Sequence, residues 1–347
     1  MIRVGIAGLG FMGMVHYLSY EKLRGVKVAA IGETNKKRLD GDWRDIQGNF
    51  GPPGKMMDLS GVDTYTSLEE MLEDPNLDMI DITLPPAMHA DLAIKAMKAG
   101  KHVFCEKPMS LKATDCDRML RASQKTGKHL FIGHVLPFFP EYAWALKTVQ
   151  SGKYGKVLGG SFKRVISDPS WLRHFWSAEH VGGPMLDLHV HDAHFIRLLF
   201  GMPSSVFTQG RLRGELAEHW NTQFSYDDSK TSVHAVSGTI NQQGRGFLHG
   251  FEIHLEKATL VFEFAVMGDE AKYLCEPTIF DNKGKAKPAK LKGGDPMDSF
   301  ATEIKEVLTC LRQDRDSEVL NSDLARDAIV LCHKQTQSLH RGRSVKI

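Results

Sequence analysis

Hydrophobic residues in the first third of the chain fall in short runs separated by segments of helical spacing. The runs Ile2–Ala7, 27–32, 62–65, 78–83, 102–105 and 129–133 read as buried strands. Between them, residues 12–23 and 88–99 carry a helical pattern, with Leu92, Ala93, Ala96 and Met97 recurring on one face of the second. Ser67 followed three residues later by Glu70 predicts a capping box that opens another helix. Strands alternating with helices imply βαβ units and a mostly parallel sheet. Residues 47–54 interrupt the pattern with Gly48, Gly51, Pro52, Pro53 and Gly54 and read as a surface loop.

The texture changes after about residue 150. Strand-like runs at 156–167, 204–213, 219–226, 231–240, 246–255, 259–265 and 273–280 follow one another, and several alternate apolar with polar residues. Such alternation suits an antiparallel sheet with one open face. One helix is expected over 184–200, and two more over 298–312 and 322–339. The lysine- and glycine-rich stretch 283–294 reads as a solvated hairpin loop. With 347 residues the chain exceeds what one hydrophobic core usually supports. The expected organisation is an α/β domain over 1–133. An α+β domain over 134–347 follows, with a large, mostly antiparallel open sheet and a closing helix that can return to the first domain.

Composition narrows the function by exclusion. Apolar residues make up 42% and charged residues 25%, and the net charge is +2, which leaves no basic footprint for nucleic acid. No stretch has the length of a membrane span, and the opening residues do not form a secretory signal. Five cysteines, odd in number and without paired spacing, suit reduced thiols and a cytoplasmic location.

The first chemical motif is Gly8-x-Gly10-x-x-Gly13, set between the first strand and the first helix. The first glycine permits a tight turn, the second a close backbone approach to a pyrophosphate, and the third close helix packing. Gly8, Gly10, Phe11, Met12 and Gly13 are therefore candidate dinucleotide contacts, at a helix N-terminus that offers free N–H groups. Glu33, twenty residues past Gly13 at the end of the second strand, is placed to bond the adenosine ribose hydroxyls. Its charge favours NAD. NADP stays as the alternative because Lys36 and Lys37 follow closely.

A second motif, Glu106-Lys107-Pro108, closes the fifth strand, and ligands of open α/β sheets bind beyond such strand ends. Proline restricts the preceding lysine, whose ammonium can donate to a substrate oxygen or, with a lowered pKa, take a proton. With Gly8/Gly10/Gly13, the run Asp81-Ile-Thr-Leu-Pro85-Pro86-Ala-Met-His89 and Ala99-Gly100-Lys101-His102-Val103, this turn resembles the glucose–fructose oxidoreductase / inositol dehydrogenase family over nearly the whole chain. The resemblance implies a Rossmann-type first domain, with cofactor contacts from Thr83, Leu84, Pro85, His89, Glu106 and Lys107. It also implies that Lys107 lies near the reacting carbon. Leu84 and Pro86 stand where the family usually has threonine and asparagine.

The densest polar cluster is Asp187-Leu-His189-Val-His191-Asp192-Ala-His194. On one continuous helix Asp187, His191 and His194 share a face, while His189 and Asp192 point elsewhere. A carboxylate one turn from an imidazole can orient it for general acid–base work. A zinc site is the rival reading, but residues two apart on a helix diverge, so no metal is expected. Asp187 and His191 match the acid–base pair of the resembled family, whereas His189 and His194 replace its glycine and last aspartate. Arg164, Trp171, His174, His194 and Trp220 are further substrate-side candidates by residue type.

These readings combine into NAD-dependent oxidation of a secondary alcohol on a sugar, polyol or sugar derivative. His191, oriented by Asp187, takes the hydroxyl proton and Lys107 steadies the oxyanion, with the choice of principal base left open. NAD-assisted glycoside cleavage without net redox change and a nucleotide-sensing regulator are the alternatives. A homodimer or homotetramer through the second sheet is expected, since exposed sheets need covering.

Overall fold

The computed structural model describes every residue except 49, 171, 173, 229 and 292–294. Two compact units emerge, residues 1–138 with 293–326, and residues 139–292 with 327–347.

The first unit begins with β1 (Ile2–Ala7), α1 (Phe11–Glu21), β2 (Val26–Gly32), α2 (Lys36–Leu39), β3 (Asp63–Tyr65) and α3 (Leu68–Glu73). It continues with β4 (Met79–Ile82), α4 (Pro86–Lys98), β5 (His102–Glu106), α5 (Ala113–Thr126) and β6 (Leu130–Gly133). Its strands pair in parallel in the order β3-β2-β1-β4-β5-β6. The order in which strands are added reverses between β1 and β4, and a crevice forms at such a switch point beyond the strand ends. Runs such as Val4, Ile6, Ile31, Met79, Ile80 and Ile82 are fully buried, as strands covered on both faces require. Ser67 caps α3 by accepting from the Glu70 amide, as its spacing predicts. Helix α5 escaped the sequence pattern because it buries only Cys116 and Met119. Residues 47, 48 and 51–53 are exposed, as a surface loop requires, and Phe50 stacks on Phe300 at 5.4 Å.

The second unit opens with α6 (Pro140–Gln150), β7 (Val157–Ser167), α7 (Gly183–Asp187) and α8 (Val190–Phe200). Strands β8 (Ser205–Arg213), β9 (Leu216–Ser225), β10 (Ser232–Ile240), β11 (Phe247–Leu255), β12 (Ala258–Met267), β13 (Glu270–Asp281) and β14 (Ala286–Pro288) follow. Helices α9 (Pro296–Gln313) and α10 (Ser322–Arg341) and strand β15 (Val345–Lys346) end the chain. The sheet order is β14-β13-β12-β11-β7-β10-β9-β8-β15, antiparallel throughout except for the β7–β10 pair. Helix α10 is tied to this sheet by the Thr208 amide on Ser338 Oγ and by Thr222 Oγ1 on Gln335 Oε1.

Three further features differ from the sequence reading. The stretch expected as a hairpin loop contains the short edge strand β14. The region over 184–200 is two helices, not one. Helix α9 belongs to the first unit, where Ile304, Val307 and Leu308 share a core with Val4, Tyr17 and Phe104. Residues following it also extend that unit's sheet edge, with the Ile132 amide bonding Leu320 O. Among the described residues no helix is long and apolar enough to cross a membrane.

Candidate active site

The three motif glycines meet three different demands. Gly8 has φ +98°, a conformation that L side chains rarely adopt. A Cβ on Gly13 would stand 2.2 Å from Gly8 O, so the helix could not close on the turn. A Cβ on Gly10 would meet nothing within 4 Å, so this glycine faces open space. Gly10 also caps α1 without a side-chain hydrogen bond, and among the described residues no side chain caps the first-turn amides of Phe11, Met12 and Gly13. A bare backbone cradle at a helix N-terminus fits a dinucleotide pyrophosphate.

Glu33 stands at the end of β2 beside this cradle. Its Oε2 accepts from the Leu9 amide at 2.8 Å, and its Oε1 from the amides of Thr34 and Asn35 at 2.7 and 3.0 Å. Burial alone would raise its pKa, but the Asn35, Leu9 and Thr34 amides together hold it below the usual carboxylate value. It is thus a preformed anion. Lys36 and Lys37 are exposed on α2, and the cation beside Glu33 is Arg38, which the sequence reading passed over.

The ends of β4 and β5 complete the groups that the first unit gathers around the glycine turn. Thr83 Oγ1 donates to Gly8 O at 2.6 Å, and Leu84 packs against Gly8. His89 is fully buried, with Nδ1 2.9 Å from Pro108 O and Nε2 2.7 Å from Leu84 O. The histidine proposed as a cofactor contact is therefore a brace between two loops, with both ring nitrogens engaged.

Glu106 is likewise turned inward. Its Oε2 accepts from the Lys107 amide at 3.1 Å, and its Oε1 lies 3.0 Å from His16 Nε2. His16 Nδ1 reaches Asp81 Oδ2 at 2.9 Å, and the Tyr20 hydroxyl donates to the same oxygen at 2.9 Å. His16 also stacks on Phe104 at 5.3 Å. Burial opposes a charged imidazole here, yet Asp81 and Glu106 outweigh it and raise the His16 pKa well above its ordinary value. An imidazolium therefore donates to two carboxylates, and the chain Tyr20–Asp81–His16–Glu106 ends on the backbone of Lys107. Glu303 of α9 is buried in the same field. Burial, then the charges of Glu106 and Asp81, raise its pKa well above the usual value despite His16, so it is a neutral acid. Within the turn Glu106 and Pro108 are buried and only Lys107 is partly exposed.

His16, Tyr20, Asp81 and Glu303 were missed from the sequence. One signal was available. Asp81 is the only charge in the otherwise apolar run Met79–Ile82, and a buried parallel strand tolerates such a charge only with a partner.

In the second unit, the polar cluster straddles a break. The amides of Leu188 and His189 both bond Pro184 O, which loosens the turn before α8 starts with Ala193 bonding His189 O. The single helix expected here is therefore interrupted between Asp187 and His191, and His194 differs from both in being buried. The structure sorts the cluster by burial instead. His189 is buried, with Nδ1 2.8 Å from Ser237 Oγ and its ring edge-on to Trp220, and burial lowers its pKa to about 4. His194 is fully buried, so its expected role at a substrate hydroxyl is not supported by its position. Asp187 and His191 are partly exposed.

Two further candidates change meaning. Arg164 is buried and makes a two-pronged pair with Asp192 at 2.6 and 3.2 Å, so its charge is neutralised inside the unit rather than offered to a ligand. Trp220 is a fully buried core residue. His174 is exposed and adopts φ +64°, a conformation a non-glycine residue holds only when its surroundings enforce it. Its ring stacks on His180 at 4.6 Å, and the base of this loop is pinned by Arg213, which bonds Asp168 and lies 3.9 Å over Trp176. Trp171 lies outside the described residues. Among the described residues no group of three His, Cys, Asp or Glu could hold a metal ion.

Comparison with known proteins gives a consistent picture. Residues 2–134 match the model of an oxidoreductase family with an NAD-binding Rossmann fold, and residues 142–261 match the GFO/IDH/MocA C-terminal domain. The chain is 26% identical over 361 aligned positions to myo-inositol 2-dehydrogenase of Thermotoga maritima, covering 100% of this chain and 98% of that protein. It is 29% identical to the NAD(+)-dependent scyllo-inositol 2-dehydrogenase of Bacillus subtilis, over 61% of this chain and 58% of that one. Among solved structures, levoglucosan dehydrogenase in complex with NADH superposes with a TM-score of 0.79 at 19% identity, over 100% of this chain and 99% of the other.

Proposed function

The chain belongs to the GFO/IDH/MocA family of oxidoreductases, and on that premise we propose that it oxidises a secondary alcohol of a sugar, polyol or sugar derivative. NAD is the cofactor the glycine cradle and the preformed Glu33 anion favour, and when bound it supplies the hydride acceptor. Gly8, Gly10, Phe11, Met12, Gly13 and Glu33 hold it, with Thr83, Leu84 and Pro85 at the neighbouring strand end.

The observation that carries the reading is the Glu106–Pro108 turn. Its carboxylate and its proline carbonyl are both gripped from inside, by His16 and His89, and Lys107 alone is left partly exposed. An ammonium on so fixed a backbone suits stabilisation of a developing alkoxide. In the second unit the partly exposed Asp187 and His191 suit proton transfer, the carboxylate orienting the imidazole that takes the hydroxyl proton. His174 is the remaining exposed substrate-side candidate. The inositol and levoglucosan dehydrogenases among the relatives support a cyclic, polyhydroxylated substrate.

A homodimer or homotetramer through the second unit's sheet is part of the proposal. It is supported by the exposure of Leu158, Tyr273, Leu274 and Phe280 on its strands. A cytoplasmic setting is supported by five free cysteines, four of them buried.

The test is a panel of inositols, anhydrosugars, aldoses and linear polyols with NAD and with NADP, followed at the NADH absorbance band. One or more cyclic polyols should reduce NAD. Lys107→Met and His191→Asn should each lower turnover by about 10²- to 10⁴-fold while NADH binding survives. Wild-type turnover in both variants would refute the assignment, and a silent panel would refute the substrate class.

A further inference from the structure

We propose that Phe50, backed by Phe300, is a positioning residue of the cofactor site: it clamps Phe11 and so fixes the first turn of α1, whose amides face the pyrophosphate. The inference rests on the reading of the glycine turn as the pyrophosphate cradle.

Such a cradle binds through backbone N–H groups, so its affinity depends on how firmly that backbone is held beforehand. The turn before α1 is held by hydrogen bonds, from Thr83 Oγ1 to Gly8 O and from the Leu9 amide to Glu33. The helix side differs, because Gly10 has no side chain and among the described residues none caps the first turn. Phe11 carries the first side chain of the helix. Its ring meets Phe50 edge-on, with centroids 4.8 Å apart and planes at 72°. Phe50 in turn lies parallel to Phe300 of α9, at 5.4 Å and 5°. Both are favoured arrangements of aromatic pairs. Gly48 lies against the same Phe11 ring so closely that a Cβ there would overlap it.

The segment that carries Gly48 and Phe50 is itself pinned. Gly51 has φ +74°, and a Cβ on it would stand 3.1 Å from Met297 Sδ at the start of α9. The Gly54 amide bonds Ile46 O at 3.3 Å, and the buried Trp43 meets Tyr17 of α1 edge-on at 4.9 Å. Residues 47, 48 and 51–53 are exposed, yet Phe50 is only partly so, its ring held by Phe11 and Phe300. The loop after α2 thus delivers one aromatic ring to the helix N-terminus that faces the cofactor. Phe300 also meets His16 at 6.1 Å, so Phe50 is the cleaner site for a test.

Titrations of the full chain need no substrate: NADH and NADPH are read by nicotinamide fluorescence, and ADP-ribose by displacement of NADH. Phe50→Ala should weaken all three by a similar factor, about three- to tenfold, the scale of one aromatic pair. ADP-ribose keeps the pyrophosphate and lacks the nicotinamide, so a shared loss excludes the nicotinamide end, and an unchanged NADH-to-NADPH ratio excludes the 2′ position. Phe50→Tyr keeps the ring and should restore NADH affinity, whereas Phe50→Leu keeps only apolar volume and should weaken NADH severalfold. A ring that merely filled space would lower the melting temperature of the ligand-free chain and leave these affinities unchanged. Should Phe50→Ala not fold, Phe50→Leu carries the test. Wild-type NADH affinity in the variant that carries the test, or a loss for NADH that ADP-ribose escapes, overturns the proposal. Gly10→Ala separates it from its premise: the added Cβ meets nothing within 4 Å in the chain, and it should weaken NADH by crowding the pyrophosphate. If Gly10→Ala binds NADH like the wild type, the cradle reading falls and the proposal with it. If Gly10→Ala weakens NADH while Phe50→Ala does not, only the clamp falls.

Discussion

The Glu106–Pro108 turn and the α7–α8 joint both gather ionisable side chains, and burial acts on them in different ways. Around the turn, His16, Asp81, Glu106 and Glu303 are all buried, and charge is kept inside by direct pairing. At the joint, His189 and His194 are buried, Asp192 is paired with Arg164, and Asp187 and His191 are left partly exposed. In the first region a buried charged network holds a backbone, and a single lysine emerges from it. In the second, a buried ion pair and a neutral imidazole anchor a helix whose outer residues face solvent. Burial therefore sorts each cluster into supports and working groups, which residue type alone does not do.

The comparison breaks first at His16. Removing it by His16→Ala leaves two buried carboxylates without their cation, which should cost about 3–5 kcal/mol of unfolding free energy. Asp192→Ala, which strands Arg164 in the same way, should cost a similar amount. Urea unfolding of both variants measures this. A loss below about 1 kcal/mol for His16→Ala would mean that the network carries no charge.

Glu303→Gln sharpens the comparison through pH. Glu303 has a raised folded pKa, so the folded state keeps a proton that the unfolded chain releases above the ordinary value of 4.5. Stability therefore falls as pH rises through that window, by up to about 1.4 kcal/mol per pH unit. The glutamine variant should lack this slope and gain on the wild type as pH rises above 4.5. His16 acts in the same direction from a higher start. Its contribution is full below 6.5 and lost as pH rises through its raised pKa, so His16→Ala should flatten the alkaline limb. Parallel pH profiles for Glu303→Gln and wild type would show that Glu303 is buried with its charge. The smallest effect is at Tyr20→Phe, which deletes one hydrogen bond to Asp81 and should cost about 1 kcal/mol. No measurable change there would place the hydroxyl outside the network.

Much of the architecture was legible beforehand because its causes are local. The apolar runs at Ile2–Ala7 and 78–83 became β1 and β4 within a residue or two, and the Ser67–Glu70 cap formed as its spacing requires. Part of the site was legible for the same reason. Gly8, Gly13 and Glu33 meet steric and hydrogen-bonding demands set within one βαβ unit. His89 and Arg164 were read as ligand contacts because residue type says what a side chain can bond but not which partner reaches it first.

By itself, then, the sequence determined the periods of strand and helix, the glycine turn with its acid, and the order of two differently built regions. Those depend on backbone sterics and on residues a few positions apart. Tertiary structure alone decided that His16 meets partners 65 and 90 residues away and that Arg164 meets one 28 residues away. It also decided that α9 rejoins the first unit and that the polar cluster is split at residue 188. Desolvation and ion pairing depend on which distant groups packing brings together, and no spacing along the chain records that.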